Sequence, residues 1–184
     1  MKKISNFLFA IFLIIFTYWI FIDVKTPKIQ NSSKASKLSF SSKIIAGKAK
    51  VIDGDSVVVE NNQIRLIGID APEFSQKCLD ENNREYSCGT NATIFLKKLI
   101  DGKQVNCEYE QKDIYNRYLA NCYVGGINVN YELIRSGMAI IYNLKEADEV
   151  IKYLEIEARN LKKGLWKGSF EEPKDFRRRN KGKR

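Results

Sequence analysis

Two acidic clusters stand at the two ends of what reads as one β-hairpin, and this arrangement constrains the chain more than any other feature. Asp53-Gly54-Asp55-Ser56 precedes the run Val57–Ile69, and Asp70-Ala71-Pro72-Glu73 follows it. Asp55–Glu60 and Gln63–Ile69 are rich in β-formers, and Asn61-Asn62 between them tolerate the left-handed backbone of a tight turn. A hairpin returns the chain to its start, so Asp55, Asp70 and Glu73 are expected side by side, with Arg65 beside them. Carboxylates together with a guanidinium suit a hard metal ion and a phosphate. A second arginine, Arg117, closes the segment Asp113-Ile114-Tyr115-Asn116-Arg117.

The chemistry is narrowed further by what the chain lacks. It contains no histidine, which removes the usual general base, the Ser-His and Cys-His pairs and His-containing zinc sites. The formal net charge is +9, but it is unevenly spread. Residues 1–43 hold seven basic residues against one acid, and residues 174–184 hold seven against one; the span between is at −3. The overall charge therefore does not by itself imply a basic groove. The tails suit non-specific attraction to a polyanion, or a membrane surface and solubility.

Met1-Lys2-Lys3 precedes an apolar run from Phe7 to Ile22. Sixteen helical residues reach about 24 Å, a little short of a hydrocarbon core of about 30 Å. The pattern suits a signal peptide, yet Tyr18-Trp19-Ile20-Phe21-Ile22 offers no Ala-x-Ala-like cleavage site. Residues 1–22 are therefore expected to be a membrane anchor with the domain outside, or a cleaved signal giving a secreted or periplasmic protein. Residues 23–42, rich in Ser and Lys, read as a flexible linker, and residues 171–184 as a basic tail. Cys78, Cys88, Cys107 and Cys122 form an even set behind an export signal and favour disulfides. Cys107 and Cys122 fall on neighbouring strands of one hairpin and suit a cross-strand pair, leaving Cys78 and Cys88; three connectivities are open.

Between residues 43 and 170 the pattern is three strands, a helix from about Thr90 to Asp101, strands at Gln104–Glu110 and Tyr118–Val124, a short helix capped by Asn130, and a longer helix ending at Gly164. This fits a mostly β, α+β domain: a five-stranded Greek-key barrel of the OB type with three helices. An open α+β sheet is the competing architecture.

Val51-Ile52-Asp53-Gly54-Asp55-Ser56, Ile64–Glu73 and Asp113–Arg117 resemble, in order and spacing, the three signatures of the staphylococcal nuclease (thermonuclease) family. The resemblance covers roughly Lys43 to Gly168. It implies an OB-fold nuclease that hydrolyses DNA and RNA with calcium, cleaves at the 5′ oxygen and releases 3′-phosphates, as a monomer. Carried over residue by residue, it implies Asp55, Asp70 and the Ala71 carbonyl as calcium ligands, and Glu73 as the group that activates water. Arg65 and Arg117 become phosphate-binding groups and Tyr115 a nucleotide contact. Two positions depart from the family pattern: Ile114 stands where lysine is common, and Asn116 where glycine is usual. Two other functions remain in play, a non-catalytic OB-type module holding single-stranded nucleic acid and a membrane-tethered structural domain.

Overall fold

The structure, a computed structural model, describes residues 43–181. The apolar N-terminal run and the linker after it lie outside the described residues. Among the described residues no helix is long and apolar enough to cross a membrane.

One long strand organises the barrel. β1 (Lys43–Val51) pairs through Lys43–Lys48 with β7 (Gln104–Lys112), then through Ala49–Val51 with β2 (Ser56–Val59). β2 and β3 (Asn62–Leu66) form the hairpin foreseen between the acidic clusters. β8 (Tyr118–Val124) runs antiparallel to β7 and parallel to β3, where Ile64 faces Tyr118 and Leu66 faces Ala120. That parallel pairing closes five strands into a barrel in the order β3-β2-β1-β7-β8. Short strands β4 (Ile69–Asp70), β5 (Cys78–Leu79), β6 (Glu85–Tyr86), β9 (Ile127–Asn128) and β10 (Ile140–Ile141) lie at its margins.

The barrel interior follows from a two-residue alternation of apolar side chains. Ala49 and Val51, Val57 and Val59, Ile64 and Leu66, Val105 and Cys107, and Ala120 and Cys122 all point inward and are buried. α1 (Cys88–Ile100) adds Ala92, Leu96 and Ile100 at helical spacing, and Leu96 and Ile100 are completely buried. Each such side chain contributes about 1.5–3 kcal/mol. α2 (Val129–Arg135) and α3 (Glu149–Asn160) complete the same core through Leu133, Ile134, Ile151 and Leu154.

The sequence reading and the structure differ in three places. The β2–β3 turn is centred on Glu60 and Asn61, both at positive φ, so that Val59 pairs with Asn62. A turn at Asn61-Asn62 would shift the register by one residue and move Val59 or Ile64 off the inward face. The cap of α2 is Asn128, whose side chain accepts from the Tyr131 amide, rather than Asn130. Asn130 is buried and accepts from the Cys122 amide while donating to the Ile67 and Ala120 carbonyls. Finally, the basic C-terminal stretch contains a fourth helix, α4 (Pro173–Asn180), beyond the three expected. Pro173 occupies its first turn, where a missing N–H is harmless.

Both cysteine pairs are disulfides. Cys107–Cys122 crosses directly between β7 and β8, and Cys78–Cys88 ties the segment after Glu73 to the start of α1.

Candidate active site

The hairpin delivers the acidic clusters to one place. The Asp53 side chain accepts from the Asp55 amide at 3.1 Å and so shapes the turn entering β2. Gly54 is required because a Cβ there would lie 2.7 Å from the Ala71 Cβ, where the two acidic loops meet. With the loops pressed together, Asp55 Oδ2 accepts from the Ala71 amide at 3.0 Å. The guanidinium of Arg65, reaching from β3, then bridges the pair: Nη1 donates to Asp55 Oδ1 at 2.7 Å and Nη2 to Asp70 Oδ1 at 2.8 Å. Asp70 is held in β4 by pairing with Ile140 of β10.

Glu73 sits on a braced loop. Its amide donates to Gln76 Oε1 and its carbonyl accepts from the Gln76 amide. Gln76 is completely buried, and its side-chain nitrogen donates to the Glu171 carbonyl at 2.7 Å. Gly89, in the first turn of α1, packs its backbone against the Glu73 carbonyl with no room for a Cβ. The Cys78–Cys88 disulfide fixes the same stretch of chain.

An unforeseen residue completes the cluster. Arg177 of α4 donates to both oxygens of Asp70, at 3.0 and 2.9 Å, and to Glu73 Oε1 at 2.9 Å. Burial works against the charge of this guanidinium, but the bonds it donates to Asp70 and Glu73 outweigh it and raise its pKa. Arg65 follows the same logic: burial opposes its charge, and Asp55 and Asp70 more than restore it. Asp55 goes the other way. Burial, helped by the nearby charges of Asp53 and Asp70, pushes its carboxyl up to about 6 despite the opposing pull of Arg65.

Arg117 and Tyr115 lie across the cleft on the β7–β8 hairpin. A bulge in β7 between Tyr109 and Gln111 alters the pairing there, so Gln111 and Lys112 join the cleft lining. Asp113 then organises the turn, its Oδ1 accepting from the Tyr115 and Arg117 amides, each at 2.9 Å, and its Oδ2 from the Arg117 side chain. Burial opposes the Asp113 charge, but these bonds win and hold its carboxyl below the usual range. Asn116 adopts φ 64°, the conformation for which glycine or asparagine is suited. Tyr115 is mostly exposed beside the Arg117 guanidinium.

Asp55, Asp70, Glu73 and Arg65 are therefore joined directly, through Arg65 and Arg177. Arg117 and Tyr115 line the same cleft, of about 1090 Å³, without bonding to those carboxylates. Ala71 contributes its amide to Asp55. Tyr142, also in the cleft, lies 6.0 Å from the Arg65 guanidinium carbon and was not foreseen. Among the described residues, no group of three acidic or cysteine side chains is arranged to hold a metal ion. Asp55 and Asp70 nonetheless offer carboxylate oxygens, and Asp55 is a buried carboxylate whose charge burial disfavours even with Arg65 beside it. That donor chemistry fits a hard ion that keeps part of its water shell.

The family model for staphylococcal nuclease homologues matches residues 63–168, more than half of the chain. The chain belongs to the staphylococcal nuclease homologue family. Its relatives in that frame include an "Uncharacterized endonuclease" of Escherichia coli O157:H7, 38% identical over 122 residues, covering 64% of this chain and 73% of that one. A "Probable endonuclease LCL3" of Saccharomyces cerevisiae is 33% identical over 128 residues, covering 63% of this chain and 45% of its own. The "Succinoglycan biosynthesis protein ExoI" of Rhizobium meliloti is 37% identical over 98 residues, covering 52% and 51%. Arg65, Asp70, Glu73 and Arg117 fall inside the span matched to the nuclease homologue model, whereas Asp55 and all of α4 fall outside it.

Proposed function

We propose that this protein is a calcium-dependent nuclease that hydrolyses phosphodiester bonds of DNA and RNA with little sequence preference. One observation carries the reading: Arg65 joins Asp55 to Asp70, Arg177 joins Asp70 to Glu73, and Asp55, Glu73, Arg65 and Arg117 line one cleft, in a member of a nuclease family.

Asp55 and Asp70, with the Ala71 carbonyl, would hold the calcium ion. When bound, the ion supplies a fixed positive charge that polarises the phosphate and favours deprotonation of water. Glu73 takes the proton of the attacking water on a carboxylate oxygen; a neighbouring cation makes so weak a base adequate. The water oxygen bonds to phosphorus, the bond to the 5′ oxygen breaks, and that oxygen takes up a proton from solvent, so the products are a 3′-phosphate and a 5′-hydroxyl. Arg65 and Arg117 present planar donor forks to the non-bridging oxygens and stabilise the charge that builds there. The bonds that now restrain each guanidinium, to Asp55 and Asp70 or to Asp113, keep it aimed into the cleft before substrate arrives. Groups directed at phosphate carry no base information, which supports broad specificity. The two disulfides support a location in an oxidising compartment outside the cytoplasm.

Supercoiled plasmid incubated with the protein and calcium tests the reading. Nicking and linearisation that stop on chelation are expected, and labelled oligonucleotides should yield 3′-phosphate ends. Intact plasmid after prolonged incubation in calcium would refute the proposal.

A further inference from the structure

We infer that the basic face of α4 forms a second wall of the cleft, binding the backbone phosphates of a nucleic-acid strand beyond the bond that is cut. The inference rests on the proposed nuclease reading for its choice of polyanion. Lys174, Arg177, Arg178 and Lys181 all line the same cleft as the carboxylates. Their spacing, i, i+3, i+4 and i+7, is that of one helix face. From Lys174 to Lys181 the axial rise is about 10 Å, the length of about three nucleotides at 3.4 Å each.

This helix is docked before any ligand arrives. Arg177 grips Asp70 and Glu73, the Glu171 carbonyl accepts from buried Gln76, and Arg179 forms two bonds to the Glu171 carboxylate. A wall fixed in this way binds without the entropy loss of ordering a loose tail. The pinning also separates two roles on one helix. Arg177 is committed to the carboxylates, while its neighbours on the cleft side have only local partners. Lys174 pairs with Glu172 at 2.7 Å and Arg178 with Asp175 at 3.2 Å, and the basic side chains of both pairs are well exposed. Exposed pairs of this kind contribute little and exchange readily for phosphate. Lys112 and Arg117 line the same cleft, so a strand lying in it would meet basic side chains of both α4 and the β7–β8 hairpin. Residues 44–173 carry a net −3 and residues 174–184 a net +6, so the stretch that contains α4 brings the positive excess to the cleft.

The test is binding rather than turnover. Fluorescence anisotropy of a labelled 12-nucleotide single-stranded DNA is followed against potassium chloride concentration, with chelator present, for the full-length protein and for K174Q/R178Q/K181Q. Each lost phosphate contact lowers the slope of log affinity against log salt by about 0.7. The triple variant should therefore show a slope smaller by about 2 and weaker binding at low salt. The charge-preserving variant K174R/R178K/K181R should match the wild type. A K174Q/K181Q double variant, with a slope smaller by about 1.4, gives the same answer if the triple variant is poorly folded. An unchanged slope in a variant with wild-type melting behaviour would overturn the inference, as would a wild type that does not bind the strand. Plasmid digestion by the same preparations keeps the two readings apart. Cleavage with an unchanged slope removes only the α4 wall, and a changed slope without any cleavage removes only the nuclease.

Discussion

Replacing Asp55 by asparagine should stabilise the metal-free protein at neutral pH, even though it removes a group central to the proposed site. Asp55 is 4% exposed, and its carboxyl is pushed up to about 6 from an ordinary 3.8. The folded state therefore holds this proton more tightly than the unfolded chain does. Below about pH 3.8 the group is protonated in both states and has no effect on the balance. Between 3.8 and 6 the unfolded chain releases the proton first, so stability falls as pH rises through that window. Above about 6 the full penalty is present, roughly 3 kcal/mol at 1.36 kcal/mol per pH unit. Asparagine escapes this penalty but keeps one acceptor where aspartate has two. It forfeits either the Ala71 amide or the bonds from Arg65 and Ser56, a loss of roughly 1–2 kcal/mol. The net expectation is a gain of about 1–2 kcal/mol at pH 7.5 that shrinks, then reverses, as pH falls towards 4. Urea unfolding of wild type and Asp55→Asn in chelator, at several pH values, measures this difference directly. Carboxylates remote from Asp55, such as Asp113, titrate in both proteins and cancel. A difference that stays flat with pH, or an asparagine variant that is less stable at pH 7.5, would refute the reasoning.

Reducing both disulfides should lower the denaturant midpoint markedly in equilibrium unfolding, because closing loops of 10 and 15 residues contributes roughly 3 kcal/mol each. Asn130→Ala leaves the Cys122 amide and the Ile67 carbonyl without this partner in a buried setting, while the Ala120 carbonyl keeps the Ile67 amide, and a loss of about 2–4 kcal/mol is expected in the same measurement. Arg177→Gln removes a cation that already neutralises Asp70 and Glu73. Calorimetric titration with calcium should show tighter binding, by roughly three- to tenfold for a charge at this partly exposed position; weaker binding would show that Arg177 supports the ion instead of competing with it.

The hairpin was legible in the sequence because its apolar alternation and its two acidic ends make one consistent pattern. Closure of the barrel between β3 and β8 was not legible from alternation, since a parallel pairing between distant segments leaves no local trace; the family resemblance supplied it. The β2–β3 turn was misplaced by one residue because Glu60 carries no turn signal of its own, although it takes a positive φ. Asn130 looked like a cap because asparagine commonly is one, but the position two residues earlier holds another asparagine, and the buried one was needed to satisfy β8. The largest omission is Arg177. A segment reading Pro-Lys-Asp-Phe-Arg-Arg-Arg-Asn has no apolar periodicity to announce a docked helix. Its docking depends on carboxylates more than one hundred positions away in sequence. Pro173 and Phe176 after the two glutamates were the only available hints.

The central claim is that the carboxylate–arginine cluster breaks the phosphodiester bond. Single-turnover cleavage of an end-labelled oligonucleotide in saturating calcium tests it most directly, comparing wild type with Arg65→Ala and Glu73→Gln. Removing a charge-stabilising donor, or the group that accepts the water proton, should each slow the chemical step by about 100-fold or more. Rates within threefold of wild type for both variants would contradict it.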